Sequence, residues 1–540
     1  MKRGMGVHLV RAEVRCTVLV FRDHKHAIEG RSSAHALERS FDKRNALDAL
    51  LGAAELEAAL ADAHEPTSAA LESWTNAAAF ALVHGGEIRP PSADFPRVPP
   101  IPLSISRPEG FAYYGVHPLD YARRAAHVLP QGAPALVIGI RTIGVALSAT
   151  VLAALSHQDR EIHRITVRPN GHPFDRKLVL NRKEEATVQR IASIPGGWIL
   201  IVDEGPGLSG SSFLAVADAV IVAGMPRDRI VLITSHAPDI TKLRAPSAMK
   251  RWSALRSVVA GPCHVPNAEY TDISAGAWRQ LAYLDENAWP AVWSQMERRK
   301  FVRRGHDVFL KFEGLGMYGH AARLRGEALF ESGIGAKCSP HEHGFLSWEW
   351  VRGRPFFPGQ DRMPIDFIAR SIAARLTLPV ARSFDHDALE SMVRINVHEL
   401  LGRDIELQLP TNHVVIVDGR MQPHEWIQLG DRIVKVDGVA HGDDHFFPGP
   451  CDIAWDLAGA IIEWHMNADQ TRALLERYVQ FTGDSDVFRR ISPWKTAYLA
   501  FRAGWLSMAQ DACAGDNREQ RRNARALVKV KDELDLSTHT

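Results

Sequence analysis

Between residues 105 and 295 short apolar runs alternate with helical stretches, and no other feature of the chain constrains its fold as strongly. PALVIGI is followed by VALSATVLAALS. EIHRITVR and GGWILIVD come next, then SSFLAVADAVIVAG and RIVLITSH. Strand-length apolar runs interleaved with helices predict a parallel sheet, because parallel neighbours need a crossover and the crossover helices cover both faces. Sheets of this kind bind ligands beyond the carboxyl ends of their strands. Chemistry is therefore expected in the loops after PALVIGI and WILIVD.

The flanking pieces read differently. Residues 1–100 offer one strand candidate, VRCTVLVF, and an Ala/Leu-rich helical stretch, KRNALDALLGAAELEAALADA. They close on IRPPSADFPRVPPIPLS, a linker in which proline removes donors and restricts its neighbours. This piece reads as scaffold. Residues 296–540 begin with a strand (VFLKFEG), a helix (HAARLRGEALFES) and a strand ending in a turn (FLSWEWVRG). Helices around 365–403 and a strand-rich patch, NHVVIVDGR to DRIVKVDG, follow, and from Asp452 the pattern is mostly helical. The last stretch, DNREQRRNARALVKVKDELDLSTHT, predicts a solvated helix with a frayed end. Three pieces, 1–100, 101–295 and 296–540, agree with the three to four domains that a length of 540 residues suggests at roughly 150 residues each.

Charge and composition exclude several classes of function. Lys and Arg total 64 against 63 Asp and Glu, a formal charge of +1, so the electrostatic footprint of a nucleic-acid-coating protein is missing and no nucleic acid is expected as partner. At 46% hydrophobic and 24% charged residues the chain can build cores and is not disordered throughout. Its cysteines, Cys16, Cys263, Cys338, Cys451 and Cys513, are scattered and form no CxxC pair, which suits a reducing compartment. Arg11, Glu13 and Arg15 interrupt the apolar start that a signal peptide needs, and the most apolar long stretch contains Arg141. A cytoplasmic protein without a membrane span is expected, its oligomeric state open.

The most specific local signal is WILIVDEGPGLSGSSFLAVADAV. An apolar strand ends at Val202, the acids Asp203 and Glu204 follow, and a small-residue turn leads to a helix starting near Ser211. Gly205, Gly207 and Gly210 let backbone N–H groups converge on an anion. The helix N-terminus adds partial positive charge, and Ser209, Ser211 and Ser212 offer hydroxyls. The two carboxylates would repel a bare phosphate but suit the vicinal hydroxyls of a sugar attached to one. The plain alternative is a Gly- and Ser-rich turn between a strand and a helix.

This order resembles the signature of type I phosphoribosyltransferases over roughly residues 105–240. The resemblance implies that Asp203 and Glu204 bind the ribose hydroxyls of phosphoribosyl pyrophosphate. Gly207, Leu208, Ser209, Gly210, Ser211 and Ser212 would hold its 5′-phosphate. It makes IGIRTIGVALSA, with Arg141 and Thr142 at its tip, the pyrophosphate loop, and ITVRPNGHPFDRKLVL a mobile basic loop with Arg168, Arg176 and Lys177 facing the leaving pyrophosphate. Mg²⁺ and the basic side chains would neutralise that group, with no covalent nucleophile. The chain departs from the family in Glu204, where Asp is commoner, in the extra Gly205 and Pro206, and in lacking paired glycines in the pyrophosphate loop.

In the C-terminal piece Lys311 lies in VFLKF, Glu327 in the next helix, Asp437 at the end of RIVKVD, and Asp452 and Asp456 in CDIAWDLAGA. The succession resembles aminoglycoside phosphotransferase and choline-kinase-like folds. By that resemblance Lys311 pairs nucleotide phosphates, Glu327 holds Lys311, and Glu349 belongs to a hinge beside the nucleotide. Asp437 ligates Mg²⁺ and Asp456 braces the catalytic loop. The family carries His-Gly-Asp followed by Pro and Asn. Aligned on Pro423, this chain reads Asp418-Gly419-Arg420-Met421-Gln422-Pro423-His424-Glu425. Arg420 falls on the base, Glu425 on the Mg²⁺-binding Asn, and Asp418 serves as base only in a re-spaced loop.

Nearby, HGDDHFFPG gathers His441, Asp443, Asp444 and His445 as a metal or acceptor cluster, or else a solvated loop, and KCSPHEHG reads as surface. The tryptophans at 348, 350, 426, 455 and 464 read as packing residues.

The expected architecture is thus α/β: a parallel-sheet, phosphoribosyltransferase-like domain followed by an α+β, kinase-like domain. The function implied is a bifunctional transferase, with phosphoribosyl pyrophosphate, ATP or another nucleotide and a small-molecule acceptor as ligands. The alternative is a regulatory sensor of nucleotides or phosphosugars with an inactive kinase-like domain.

Overall fold

The computed structural model describes residues 25–29, 33–34, 37–38, 44–91, 94–156, 161–261, 266, 269–357, 359, 361–378, 386–439, 441–444, 447, 449–513 and 515–539. The strand expected in VRCTVLVF, Cys16, Cys263 and His445 lie outside them. Two compact units divide the chain, one built on residues 25–265 with 314–318, the other on 266–313 with 319–540. The boundaries read from the sequence at 100 and 295 do not coincide with this division.

The first unit runs β1 (Lys25–Glu29), α1 (Ala46–Asp62), α2 (Thr67–His84), β2 (Pro102–Ser106) and α3 (Pro118–Ala125). It continues through β3 (Ala135–Ile140), α4 (Gly144–Leu155), β4 (Ile162–Val167), a hairpin of β5 (Asn170–His172) and β6 (Asp175–Lys177), and α5 (Arg182–Ser193). β7 (Trp198–Val202), α6 (Ser211–Val222), β8 (Ile230–Thr234), α7 (Ala248–Ser253) and β9 (Arg256–Val259) complete it. Strands pair in the order β4-β3-β7-β8-β9, every pair parallel, as the alternation predicts. β3 is buried at all six positions because helices cover it on both faces. Gly139 lets α4 lie close on β3, since a Cβ there would sit 2.2 Å from the Gly144 carbonyl oxygen. α5 starts in a capping box of Asn181 and Glu184. The helices of the supposed scaffold pack on this unit: buried Arg164 of β4 reaches Glu57 of α1 at 2.9 Å.

The second unit opens with an antiparallel sheet of β10 (Tyr270–Asp272), β11 (Lys300–Arg303), β12 (Val308–Phe312), β13 (Cys338–Pro340) and β14 (Phe345–Glu349) in the order β10-β11-β12-β14-β13. α8 (Met317–Glu331) separates β12 from β13. β15 (Arg354–Pro355), α9 (Ile365–Ala374), α10 (His386–Leu401) and β16 (Val414–Val415) lead to the hairpin of β17 (Trp426–Leu429) and β18 (Arg432–Lys435). β19 (Cys451–Asp452), α11 (Ala454–Glu463), α12 (Ala468–Thr482), α13 (Val487–Ala512) and α14 (Asn517–Ser537) follow. Their apolar faces meet in one core with Trp426, Trp455, Trp464, Trp494, Tyr498 and Phe501. Trp348 is buried too, and Trp350 half-buried. α14 is not merely a solvated helix: Glu519 is buried on it, 2.9 Å from Arg279. Among the described residues no helix is long and apolar enough to cross a membrane.

Candidate functional site

The C-terminal unit gathers its charges where β12 and the end of β18 approach. Lys311 lies on β12 with Glu313 just past its end, and Lys435 closes β18 two residues before Asp437. Lys311 Nζ lies 2.6 Å from Asp437 Oδ1 and 3.1 Å from Glu313 Oε1. The segment 416–425, which connects β16 to β17, joins them. Asp418 is 1% exposed, with Oδ2 2.9 Å from Arg375 Nη2 and 3.2 Å from Lys435 Nζ. Gly438, at φ +108°, makes this approach available, because a Cβ there would stand 2.0 Å from Asp418 Oδ2. Asp456 accepts the N–H of Asp418 at 2.7 Å and of Gly419 at 3.0 Å, so it braces this turn from α11.

Arg420 stands at the aligned base position. Its Nη2 lies 2.7 Å from His441 Nε2, 3.1 Å from Glu425 Oε1 and 4.0 Å from Asp437 Oδ2. Lys435 Nζ donates to Glu425 Oε2 at 2.7 Å and to the Asp437 carbonyl at 2.9 Å. Arg298 adds Glu313 at 3.4 Å and Asp444 at 3.6 Å. Lys311, Asp437, Asp418 and Glu425 thus come together, with Arg420 and His441.

Electrostatics follow from this pairing. Burial alone would raise the Asp418 and Asp437 carboxyls, but Lys435 with Arg375, and Lys311 with His441, hold them well below the usual range. Glu425 is likewise brought to about 2 by Lys435 and Arg420 against the effect of burial. Asp456 goes the other way, to about 6, because burial outweighs Arg375. Lys311 and Lys435 are raised by their acid partners, Asp437 first for Lys311 and Asp418 first for Lys435, although burial opposes it.

One expected nucleotide contact is not where the resemblance puts it. Glu327 does not hold Lys311: it pairs with Arg323 at 2.6 Å, one turn away on α8, and Glu313 takes its place beside the lysine. Glu349 is exposed at the end of β14. Asp418, expected as base only in a re-spaced loop, is buried with its Oδ2 paired to Arg375 and Lys435. Among the described residues Asp418, Glu425 and His441 form a group able to converge on a metal ion, which differs from the expected pair Asp437 and Glu425. Asp444 joins the network through Arg298; His341 and His343 of KCSPHEHG are exposed. Sequence reasoning missed Glu313, Arg375, Lys435 and Arg298. The two-residue spacings Lys311/Glu313 and Lys435/Asp437 were a usable signal, and Arg375 and Arg298 had none.

A cavity of about 20 Å³, lined among others by Lys311, Trp348, Arg375, Asp418, Lys435 and Asp437, adjoins the cluster. That is room for one or two waters.

In the other unit β7 ends at the middle of the parallel sheet and delivers Asp203 and Glu204 to its carboxyl edge. Asp203 Oδ1 accepts the Glu204 N–H at 2.8 Å, Glu204 Oε2 accepts the Gly110 N–H at 2.8 Å, and the Tyr121 hydroxyl bridges both carbonyls. Burial raises the Asp203 carboxyl to about 7 against the pull of Arg168 and Arg176. Gly207 and Gly210 have positive φ, Gly210 capping α6, and Gly207 and Leu208 are exposed.

The serines differ from expectation. The hydroxyls of Ser209 and Ser211 donate to the Pro173 carbonyl, at 3.0 and 2.6 Å, because the β5–β6 hairpin folds over the loop. Ser212 is half-buried in the first turn of α6. Arg141, Thr142 and Arg168 do meet: Arg168 donates to Thr142 Oγ1 at 3.1 Å and to the Arg141 carbonyl at 2.8 Å. Asp62, the last residue of α1, faces both arginines, 2.8 Å from Arg141 Nε and 2.5 Å from Arg168 Nη2. Arg176 donates to the Pro169 carbonyl at 3.4 Å, and Lys177 pairs with Asp175 on the exposed hairpin.

No protein-family description matches this chain, and no curated protein matches it. Solved structures similar to it include a choline/ethanolamine kinase family protein from Mesorhizobium loti, 14% identical, over 45% of this chain and 88% of that one, with a TM-score of 0.31. Choline kinase LicA from Streptococcus pneumoniae is 15% identical over 43% of this chain and 90% of its own, at 0.30. An ethanolamine kinase of Plasmodium vivax is 11% identical over 43% and 79%, also at 0.30.

Proposed function

We propose that residues 266–540 form a nucleotide-binding unit of the phosphotransferase kind. One observation carries this reading: Lys311 on β12 and Asp437 beyond β18 meet at 2.6 Å, beside a turn braced by Asp456. In such a site the lysine orders phosphate oxygens and the acid faces the transferring group. Arg420, freed from Glu425 and His441, would add a fixed positive charge where negative charge develops on the phosphoryl group. Calorimetric titration with ATP, and with the Lys311→Met variant, tests the reading. Micromolar to millimolar binding that Lys311→Met weakens at least tenfold supports it, and equal binding by both proteins defeats it.

A second reading, a sensor that binds nucleotide without turnover, is favoured by Arg420 at the base position and by the commitment of Asp418 to Arg375 and Lys435. Labelled ATP decides between them: phosphate transfer or hydrolysis lost in Asp437→Ala favours the enzyme, and binding without product favours the sensor.

For residues 25–265 we infer a phosphosugar site of the phosphoribosyl pyrophosphate type. Support comes from Arg141, Thr142 and Arg168 meeting at the same sheet edge as Asp203 and the 205–210 turn. Phosphoribosyl pyrophosphate binding that Arg168→Ala abolishes is the expected result, and no binding in the presence of Mg²⁺ removes the inference.

A further inference from the structure

Mg²⁺ takes a near-octahedral shell of oxygens at about 2.0–2.1 Å and relies on carboxylates whose charge is still available. The acids that resemblance assigns to it are not in that state. Asp437 Oδ1 lies 2.6 Å from Lys311 Nζ and accepts the Gly438 N–H at 2.8 Å, while its Oδ2 faces Arg420. Glu425 divides its oxygens between Lys435 and Arg420. The group Asp418, Glu425 and His441 fares no better, because Lys435 sits on two of its three members and Arg420 on the third. The residues present do not fit a divalent ion.

The centre of the cluster is instead an ammonium. Lys435 Nζ lies 2.7 Å from Glu425 Oε2, 2.9 Å from the Asp437 carbonyl and 3.2 Å from Asp418 Oδ2. Three oxygens from three residues surround a group with three N–H donors. The side chain is 4% exposed, and Nζ lies 5.6 Å from the centre of the Trp426 ring. A divalent ion placed here would also meet Lys311 and Arg420 across a few ångströms of low-dielectric interior, where like charges repel strongly.

We propose that Lys435 takes the place of a divalent cation in this site. Its ammonium ties Asp418, Glu425 and the backbone of Asp437 together, and a nucleoside phosphate is met by Lys311 and Arg420 with no metal ion at Asp437 or Glu425. This rests on the nucleotide-binding reading for the second unit, but its first test does not use a nucleotide. Mn²⁺ is titrated into the full chain and followed by electron paramagnetic resonance. The wild type is expected to bind no stoichiometric Mn²⁺ below millimolar concentration. Lys435→Ala and Lys435→Gln are each expected to gain one site at least tenfold tighter, lost again on adding Glu425→Gln, and Lys435→Arg is expected to gain none.

Stoichiometric Mn²⁺ binding to the wild type that Asp437→Asn removes would overturn the proposal, as would a folded Lys435→Ala or Lys435→Gln without the gain. ATP titrated in EDTA and in Mg²⁺ should then give affinities equal within twofold. Binding that requires Mg²⁺ overturns the proposal and leaves the nucleotide reading standing. Absence of binding in both buffers defeats the nucleotide reading, and the Mn²⁺ titrations still decide the role of Lys435.

Discussion

Lys311 and Asp437, 126 residues apart in the chain, are joined by a 2.6 Å ion pair whose second acid is Glu313 and not Glu327. Glu313 is buried between Lys311 and Arg298, so Glu313→Gln leaves two buried cations one acid short while Asp437 and Asp444 remain. It is expected to destabilise the second unit by about 2–4 kcal/mol, below the full range for a buried charge left with no partner. Glu327→Gln removes only a part-exposed pair with Arg323 and should cost at most about 1 kcal/mol. Urea denaturation followed by tryptophan fluorescence measures both, and equal losses would restore Glu327 to the lysine.

Asp456 offers a second, independent measure of the same region. Its two oxygens accept the N–H groups of Asp418 and Gly419, and Arg375 Nε lies 3.5 Å away. Asp456→Ala strands two buried donors and leaves the Arg375 guanidinium with Asp418 as its one remaining acid, an expected loss of about 3–5 kcal/mol. Asp456→Asn keeps one acceptor oxygen and should cost less, roughly 1–3 kcal/mol. A reversed order in denaturant midpoints would mean that the charge, not the pair of accepted N–H groups, dominates.

How much of this was legible in the sequence depended on whether a signal was local. PALVIGI and WILIVD appear as β3 and β7 because an uninterrupted apolar run of strand length between helices has one place to go, the middle of a covered sheet. Lys311, Asp437 and Asp456 could be read in order because each sits at the end or edge of a recognisable element. Arg375 could not. It lies in ARLTL at the end of α9, and its guanidinium finds Asp418 and the carbonyls of Ile416 and Gly438 only after the chain has folded. Ser209 and Ser211 carried a correct local signal for a tight turn and a wrong one for free hydroxyls, because the hairpin carbonyl that takes them is 36 and 38 residues away. Glu519 misled in the opposite direction: a charged helix reads as solvated until Arg279 is brought against it.

Glu55 and Glu425, one in each unit, should respond to acid with opposite sign. In the first, Glu55 is raised to about 7 by burial, although the Tyr318 hydroxyl donates to it at 2.7 Å and Arg107 opposes the shift. A carboxyl whose folded pKa exceeds its unfolded value of about 4.5 binds more protons when folded, so stability falls as pH rises from about 4.5 to about 7. Glu55→Gln removes that penalty and is expected to stabilise the unit by roughly 1–3 kcal/mol at pH 8 and negligibly at pH 4. In the second unit Glu425, held near 2, contributes stability above 4.5 that is lost as pH falls toward 2. Thermal scans at pH 2.5, 4, 6 and 8 check both slopes, and a Glu55→Gln gain independent of pH would contradict the first.

Asp62 is an acid at the C-terminal end of α1, where the helix dipole disfavours negative charge, and two arginines hold it there. Arg141 and Arg168 are the side chains that the phosphosugar reading turns toward a diphosphate, and on that reading Asp62 would occupy the place of the anion and compete with it. Each part-exposed ion pair is worth roughly 0.5–1 kcal/mol. Releasing two should therefore tighten anion binding by about five- to thirtyfold. Asp62→Asn is expected to bind inorganic pyrophosphate more tightly by that factor in calorimetric titration, and Arg168→Ala to lose binding whether or not Asp62 is changed. Weaker binding in Asp62→Asn would mean that the carboxylate positions the arginines for the ligand instead of standing in for it, and the phosphosugar reading would then need the acid as part of its site.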